Sequence, residues 1–183
     1  MISNFFKLFI LIRNQKIYEI KSFEEIKSIT SKIDLEIKKV DFNNVYQATD
    51  FRQQKMVFIF ENFLEKGDIG VFAFVNGKVV GHAWAVLNAD QPSKRIDGYM
   101  DINRDECFIH YCNVSEEYRG KNIYPQMLSW LCKELVLVKK MKKIIIDCDI
   151  SNVASLRGIE KIGFVFKTQK LFIRVFKKIV LKL

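Results

Sequence analysis

The 183-residue chain is 49% hydrophobic and 28% charged, with two prolines and no low-complexity stretch, which excludes a disordered or fibrous chain and fits one domain with its own core. A formal charge of +9 points to an anionic partner, be it nucleic acid, a membrane surface or a phosphate-rich small molecule. Four cysteines without CxxC spacing and two histidines assemble no zinc set, so the expectation is no metal and a reduced, cytoplasmic location.

In chain order, Phe5 to Ile12 is an apolar run far shorter than the ~20 residues a spanning helix needs. It lacks a basic leader and a cleavage site, so it does not read as a secretory signal. Ser22 and Glu25 have capping-box spacing, which predicts a helix from Ser22 to Ser31 inside an N-terminal extension of residues 1–34. Leu35 to Val40 reads as a strand, and Asp41 to Phe63 as one or two helices ending before Gly67. Val71 to Val75 and Lys78 to Val86 flank Asn76-Gly77, the pair best suited to a two-residue hairpin turn. A polar loop with Pro92 and Gly98 leads to a strand from Glu106 to Val114. Leu128, Leu131, Leu135 and Val138 then repeat at helical spacing over Pro125 to Val138. Ile144 to Ile146 is an unbroken apolar strand, and a short helix from Val153 to Ile162 stops at Gly163. Phe164 to Gln169 and Leu171 to Lys177 read as two closing strands. The strand-helix-strand order predicts one parallel pair with a right-handed crossover, hence an α/β fold with a mixed sheet.

The segment from Val114 to Pro125 joins a strand to an amphipathic helix. A helix N-terminus offers unpaired N–H groups and partial positive charge, enough to hold a pyrophosphate, with Arg119 and Lys121 adding charge. Such turns also open many helices with no ligand at all. Here Arg119, Asn122 and Tyr124 stand in the register of Arg or Gln, two residues, Gly, one residue, then Gly or Ala. Downstream, Asn152 opens the next helix and Glu160-Lys161-Ile162-Gly163-Phe164 closes it. Together these segments resemble the GNAT superfamily of acyltransferases over Leu35 to about Lys177.

The resemblance implies the GNAT fold, with a domain over 35–183, and acetyl-CoA as cosubstrate. It also implies direct transfer of an acyl group to a primary amine of a small molecule, for which an amino sugar is the expected acceptor. It assigns donor binding to Cys112, Val114, Arg119, Gly120, Lys121, Asn122, Ile123, Tyr124, Asn152 and Ser155. Two departures stand out. Asn122 replaces a glycine, which asparagine's tolerance of left-handed backbone permits. Tyr124 replaces a small residue, so its side chain would crowd the phosphates unless it turns toward solvent.

The attacking amine must lose a proton, having a pKa near ~10. Glu106, Phe108, His110 and Cys112 share one strand face by the period of two. His110 is the expected base, since its ordinary pKa lies near working pH, and Glu106 the second choice; the bland reading of His110 is a sheet-face histidine with a satisfied hydrogen bond. A backbone N–H near Cys112 to Val114 would polarise the thioester carbonyl. The family's tyrosine proton donor corresponds to Ile159, leaving Tyr111, Ser155 or water for that task. That gap motivates an alternative, a non-catalytic acyl-CoA-binding module, and the net charge motivates a third, a basic polyanion-binding protein. Trp84 and the phenylalanines read as core and acceptor wall, so no nucleic acid is expected. The lysines of the last eight residues read as an edge strand, with peripheral contact to an anionic membrane as the alternative. The sequence assigns no oligomeric state.

Overall fold

The computed structural model of the protein describes residues 10–87, 102–175 and 178–182. Phe5 to Phe9, the loop with Pro92 and Gly98, Phe176 and Lys177 lie outside the described residues. In order come β1 (Ile10–Ile20), β2 (Glu36–Lys39), a 3-10 turn (Val45–Asp50), α1 (Lys55–Glu65), β3 (Ile69–Val75) and β4 (Lys78–Val86). There follow β5 (Glu106–Val114), a short 3-10 turn (Glu116–Tyr118), α2 (Ile123–Leu137), β6 (Lys143–Asp149), α3 (Val153–Lys161), β7 (Val165–Val175) and β8 (Lys178–Lys182).

The described strands form one eight-stranded sheet in the order β2-β3-β4-β5-β6-β1-β7-β8. Among the described strands only β5 and β6 run parallel; the other neighbours are antiparallel. The Asn76-Gly77 turn forms as expected, with φ of 50° and 76° at its two residues. All of β3, and β4 after Lys78, is buried because helices cover both faces. On one face Leu128, Leu131 and Leu135 of α2 and Ile159 of α3 pack with Val71, Ala73 and Ile109. On the other, Met56, Val57 and Phe60 of α1 pack with Phe72 and Trp84. The two expected closing strands differ: Lys170 pairs with Gln15, so β7 continues unbroken to Val175, and β8 forms the sheet edge.

The first 34 residues also differ from the expectation. Ile10–Ile20 is a strand between β6 and β7, with Ile17, Tyr18 and Ile20 buried. No helix forms from Ser22 to Ser31. The Glu25 carboxylate turns back to accept the Lys21 N–H at 2.9 Å, and the chain beyond lies along α2 and α3. There Lys27 N–H donates to the Ile162 carbonyl at 2.9 Å, and Ser129 Oγ donates to the Lys27 carbonyl at 2.9 Å. Gly163, at φ 106°, faces the Glu25 carbonyl so closely that a Cβ would overlap it. Further on, the Lys121 carbonyl accepts from both Ser31 Oγ, at 3.0 Å, and Lys32 N–H, at 2.9 Å. A segment with little turn or periodic signal thus buttresses the turn that leads into α2. Among the described residues no helix is long and apolar enough to cross a membrane.

Candidate functional site

The parallel ladder of β5 and β6 runs from Glu106 opposite Lys143 to Ile109 opposite Ile146 and ends there. Beyond it β5 stays with β4, while β6 stays with β1. The two strands therefore splay, opening a cleft at their C-terminal ends, where ligands of α/β sheets commonly bind.

A bulge shapes one wall of that cleft. Trp84 pairs with His110 and His82 with Asn113, so Tyr111 and Cys112 together face Ala83, and Tyr111 takes a left-handed φ of 52°. His82 holds the bulge, its Nδ1 lying 2.8 Å from the Tyr111 carbonyl. Burial above all, then the charge of Arg52, pushes the His82 pKa down to about 3, so the ring is neutral and donates through Nδ1. The bulge also corrects the period-two reading. His110 stays on the face of Phe63 and Trp84, whereas Cys112 packs on the opposite face with the α2 core.

A cavity of about 540 Å³ opens between the end of β5, the first turn of α2 and the first turn of α3. Every expected donor-binding residue lines it except Lys121. Gly120, at φ 75°, and Asn122, at φ 62°, turn the chain sharply into α2. The Asn122 carbonyl receives its intrahelical bond from Gln126, so the N–H groups of Ile123 and Tyr124 have no acceptor within the helix. Pro125, third in the helix, forfeits nothing by lacking an N–H.

The cations are arranged differently from expectation. Lys121 lies over the ring of Tyr118, itself a wall residue, 4.8 Å from its centroid, and does not line the cavity itself. Arg157 and Lys161 line the cavity instead, and Lys161 Nζ donates to Asn122 Oδ1 at 3.0 Å. Their spacing of four on α3, with Ala154 and Gly158 alongside, is the helical-face signal that would have found them. Arg119 is held over the mouth by Nε donating to the Val114 carbonyl at 3.3 Å and by Nη1 at 3.3 Å from Glu116 Oε1.

Tyr124 turns inward to α3, not toward solvent. Its ring packs on Gly158, and its hydroxyl accepts from Ser155 Oγ at 3.2 Å. Burial holds its phenol well above the usual range. Ser155 N–H in turn caps onto Asn152 Oδ1 at 3.2 Å. Ile159 is wholly buried in the core and offers the cavity nothing.

Across the sheet, His110 Nε2 lies 3.6 Å from Asp68 Oδ2, with Asp68 buried at the start of β3. Asp68 escaped the sequence reading, since nothing local ties a residue after Gly67 to a strand forty residues on. Phe63 meets the His110 ring edgewise at 4.9 Å, and Tyr111 packs against Phe60 and Phe63. Glu106 stands at the far end of β5, where one oxygen is ion-paired with Lys143 and the other accepts the Asn103 N–H at 3.0 Å. Burial opposes its ionisation, yet these partners hold its carboxyl below the usual range, so it is an engaged structural carboxylate. Burial pushes the Cys112 thiol up to about 12, which suits backbone presentation and not nucleophilic attack. Among the described residues no side-chain group of three or more could hold a metal.

A mixed sheet whose single parallel pair among the described strands splays beside a cation-lined helix N-terminus is the α/β architecture that the resemblance to the GNAT superfamily implied. Residues 35–164 match the model of the acetyltransferase (GNAT) family, and the chain belongs to that family. No curated protein sequence matches it. Among solved structures, a functionally unknown conserved protein of Staphylococcus epidermidis is 16% identical with a TM-score of 0.61, over 95% of this chain and 66% of its own. A GNAT-family acetyltransferase of Colwellia psychrerythraea is 13% identical with a TM-score of 0.63, over 91% of this chain and 57% of its own. AAC(6')-Iy, in complex with the bisubstrate analogue CoA-S-monomethyl-acetylneamine, is 15% identical with a TM-score of 0.58, over 73% of this chain and 92% of its own. At these identities the likeness is one of fold, and the chain spans two thirds or less of the length of the first two.

Proposed function

We propose that the protein transfers an acetyl group from acetyl-CoA to a primary amine of a small molecule, an amino sugar being the acceptor class, by direct attack without an acyl-enzyme. The observation that carries this reading is the cavity at the splay, where a helix N-terminus, Arg119, Arg157 and Lys161 meet the end of β5. The cations and free N–H groups suit a pyrophosphate. A thin acyl-bearing arm would then lie in the cleft between β5 and β6, its thioester carbonyl accepting from the N–H of Cys112 beside the Tyr111 bulge.

The acceptor amine would enter from the opposite face, against Tyr111, Phe63 and His110. Asp68 faces Nε2 of His110, which leaves Nδ1 to draw a proton from the amine directly or through water. That AAC(6')-Iy, similar in fold, binds a bisubstrate analogue joining CoA to acetylneamine supports the meeting of a CoA donor and an amine acceptor on this fold. The test is release of free thiol from acetyl-CoA in the presence of amino sugars and other primary amines. Product with any of them supports the reading, whereas tight CoA binding without product from a broad amine panel would favour a non-catalytic binding module. The same cysteine chemistry carries the proposal of a reducing, cytoplasmic setting, since all four cysteines are free thiols.

A further inference from the structure

We infer that the Tyr124 hydroxyl, seated against Ser155 in the donor cavity, binds the sulfur of the coenzyme and passes its proton to the departing thiolate. The inference rests on the acyl-CoA reading above. When the amine attacks, a C–N bond forms, the C–S bond breaks and the electron pair stays on sulfur. The parent thiol has a pKa near ~8.5, so a nearby proton donor lowers the barrier to its departure.

Three observations select Tyr124. The buried Ile159 has no proton to give. The Ser155 hydroxyl donates to Tyr124, so the Tyr124 O–H is left to point at a ligand in the cavity they both line. Cys112, on the splayed end of β5 where the thioester carbonyl would sit, lines the same cavity as Tyr124. The phenol therefore shares its cavity with the end of β5 where the bond would break, and burial keeps it protonated, as a donor must be. After transfer, Tyr124 recovers a proton from the Ser155 hydroxyl, which sits on the outer turn of α3 and exchanges with water. The ring enters from α2 and reaches α3 because Gly158 leaves room for it.

Calorimetric titration of the full chain with CoA and with desulfo-CoA, near pH 7 and again above the thiol pKa, separates a sulfur partner from a mere wall. Tyr124→Phe keeps the ring on Gly158 and removes only the hydroxyl. The expected result is about a tenfold loss of CoA affinity at the higher pH, with desulfo-CoA binding unchanged. Equal losses for both ligands, or none for either, would overturn the inference while leaving the acyl-CoA reading intact. Failure of both ligands to bind the unaltered protein would instead remove that reading and this inference together. Should Tyr124→Phe fail to fold, Ser155→Ala must show the same loss confined to the sulfur-bearing ligand, and its absence counts against the inference.

Discussion

The ring of Tyr124 rests so closely on Gly158 that a Cβ built on the glycine would come within 2.7 Å of Tyr124 Cδ1. Alanine in a helix interior is favoured over glycine by about 1 kcal/mol, whereas overpacking a tight contact costs about 1–3 kcal/mol. The second effect should win because a rigid ring cannot step aside. Gly158→Ala is expected to lower the melting temperature by a few degrees and to weaken CoA binding, as judged by thermal unfolding with and without ligand. A stabilised variant would show that Tyr124 moves freely.

His110→Ala should lower turnover by about 100-fold while leaving acetyl-CoA affinity nearly intact, with the loss most visible toward lower pH. Asp68→Asn, which alters only the group facing Nε2, should cost less. Unchanged turnover in the first variant would place the base elsewhere. These are measured as initial rates of thiol release against pH.

Glu106→Gln separates a structural carboxylate from a catalytic one. Its pair with Lys143 is shielded, so losing one partner leaves the other poorly compensated, at a cost of about 3 kcal/mol. The depressed Glu106 pKa has a definite sign: its contribution is full above the unfolded carboxyl value and is lost as pH falls through the lower folded value. Denaturant unfolding should show the loss, and turnover per folded molecule should not change.

His82 predicts a second acid-side effect. The unfolded imidazole takes up its proton near ~6.5, while the folded ring resists protonation until about 3. Between those values the unfolded state holds more protons, so stability falls as pH is lowered across the interval. His82→Phe should flatten that part of the stability profile and, by releasing the Tyr111 carbonyl, loosen the bulge. An unaltered profile would mean that the ring already carries its charge in the folded protein.

Arg119→Ala and Lys161→Ala should each weaken CoA binding by about tenfold and reduce its salt dependence, since both cations flank the turn into α2. Lys121→Ala should do much less, its ammonium being over Tyr118. Equal effects at Arg119 and Lys121 in titrations at several salt concentrations would contradict the arrangement.

What could be read in advance was local. Asn76-Gly77 needs positive φ at both residues, and the turn around Arg119 to Asn122 announces itself through a glycine and an asparagine before a helix. What could not be read was set by distant partners. The polar Arg13-Asn14-Gln15-Lys16 stretch hides β1, whose pairing with β6 and β7 depends on residues more than a hundred positions away. The capping-box pair Ser22 and Glu25 lost to tertiary contacts with Ile162 and Ser129. One left-handed residue, Tyr111, reverses the face of Cys112, and no period-two count foresees that. Tyr124, which looked like an obstacle to phosphate, finds its place only through Gly158 on another helix.

The central claim is that the cavity at the splay of β5 and β6 is an acyl-CoA site. Calorimetric titration of the protein with acetyl-CoA and with CoA, at low and at moderate salt, tests it most directly. The account predicts saturable one-to-one binding of both that survives moderate salt. Absence of binding, or binding that salt abolishes as it would any loose polyanion contact, would contradict it.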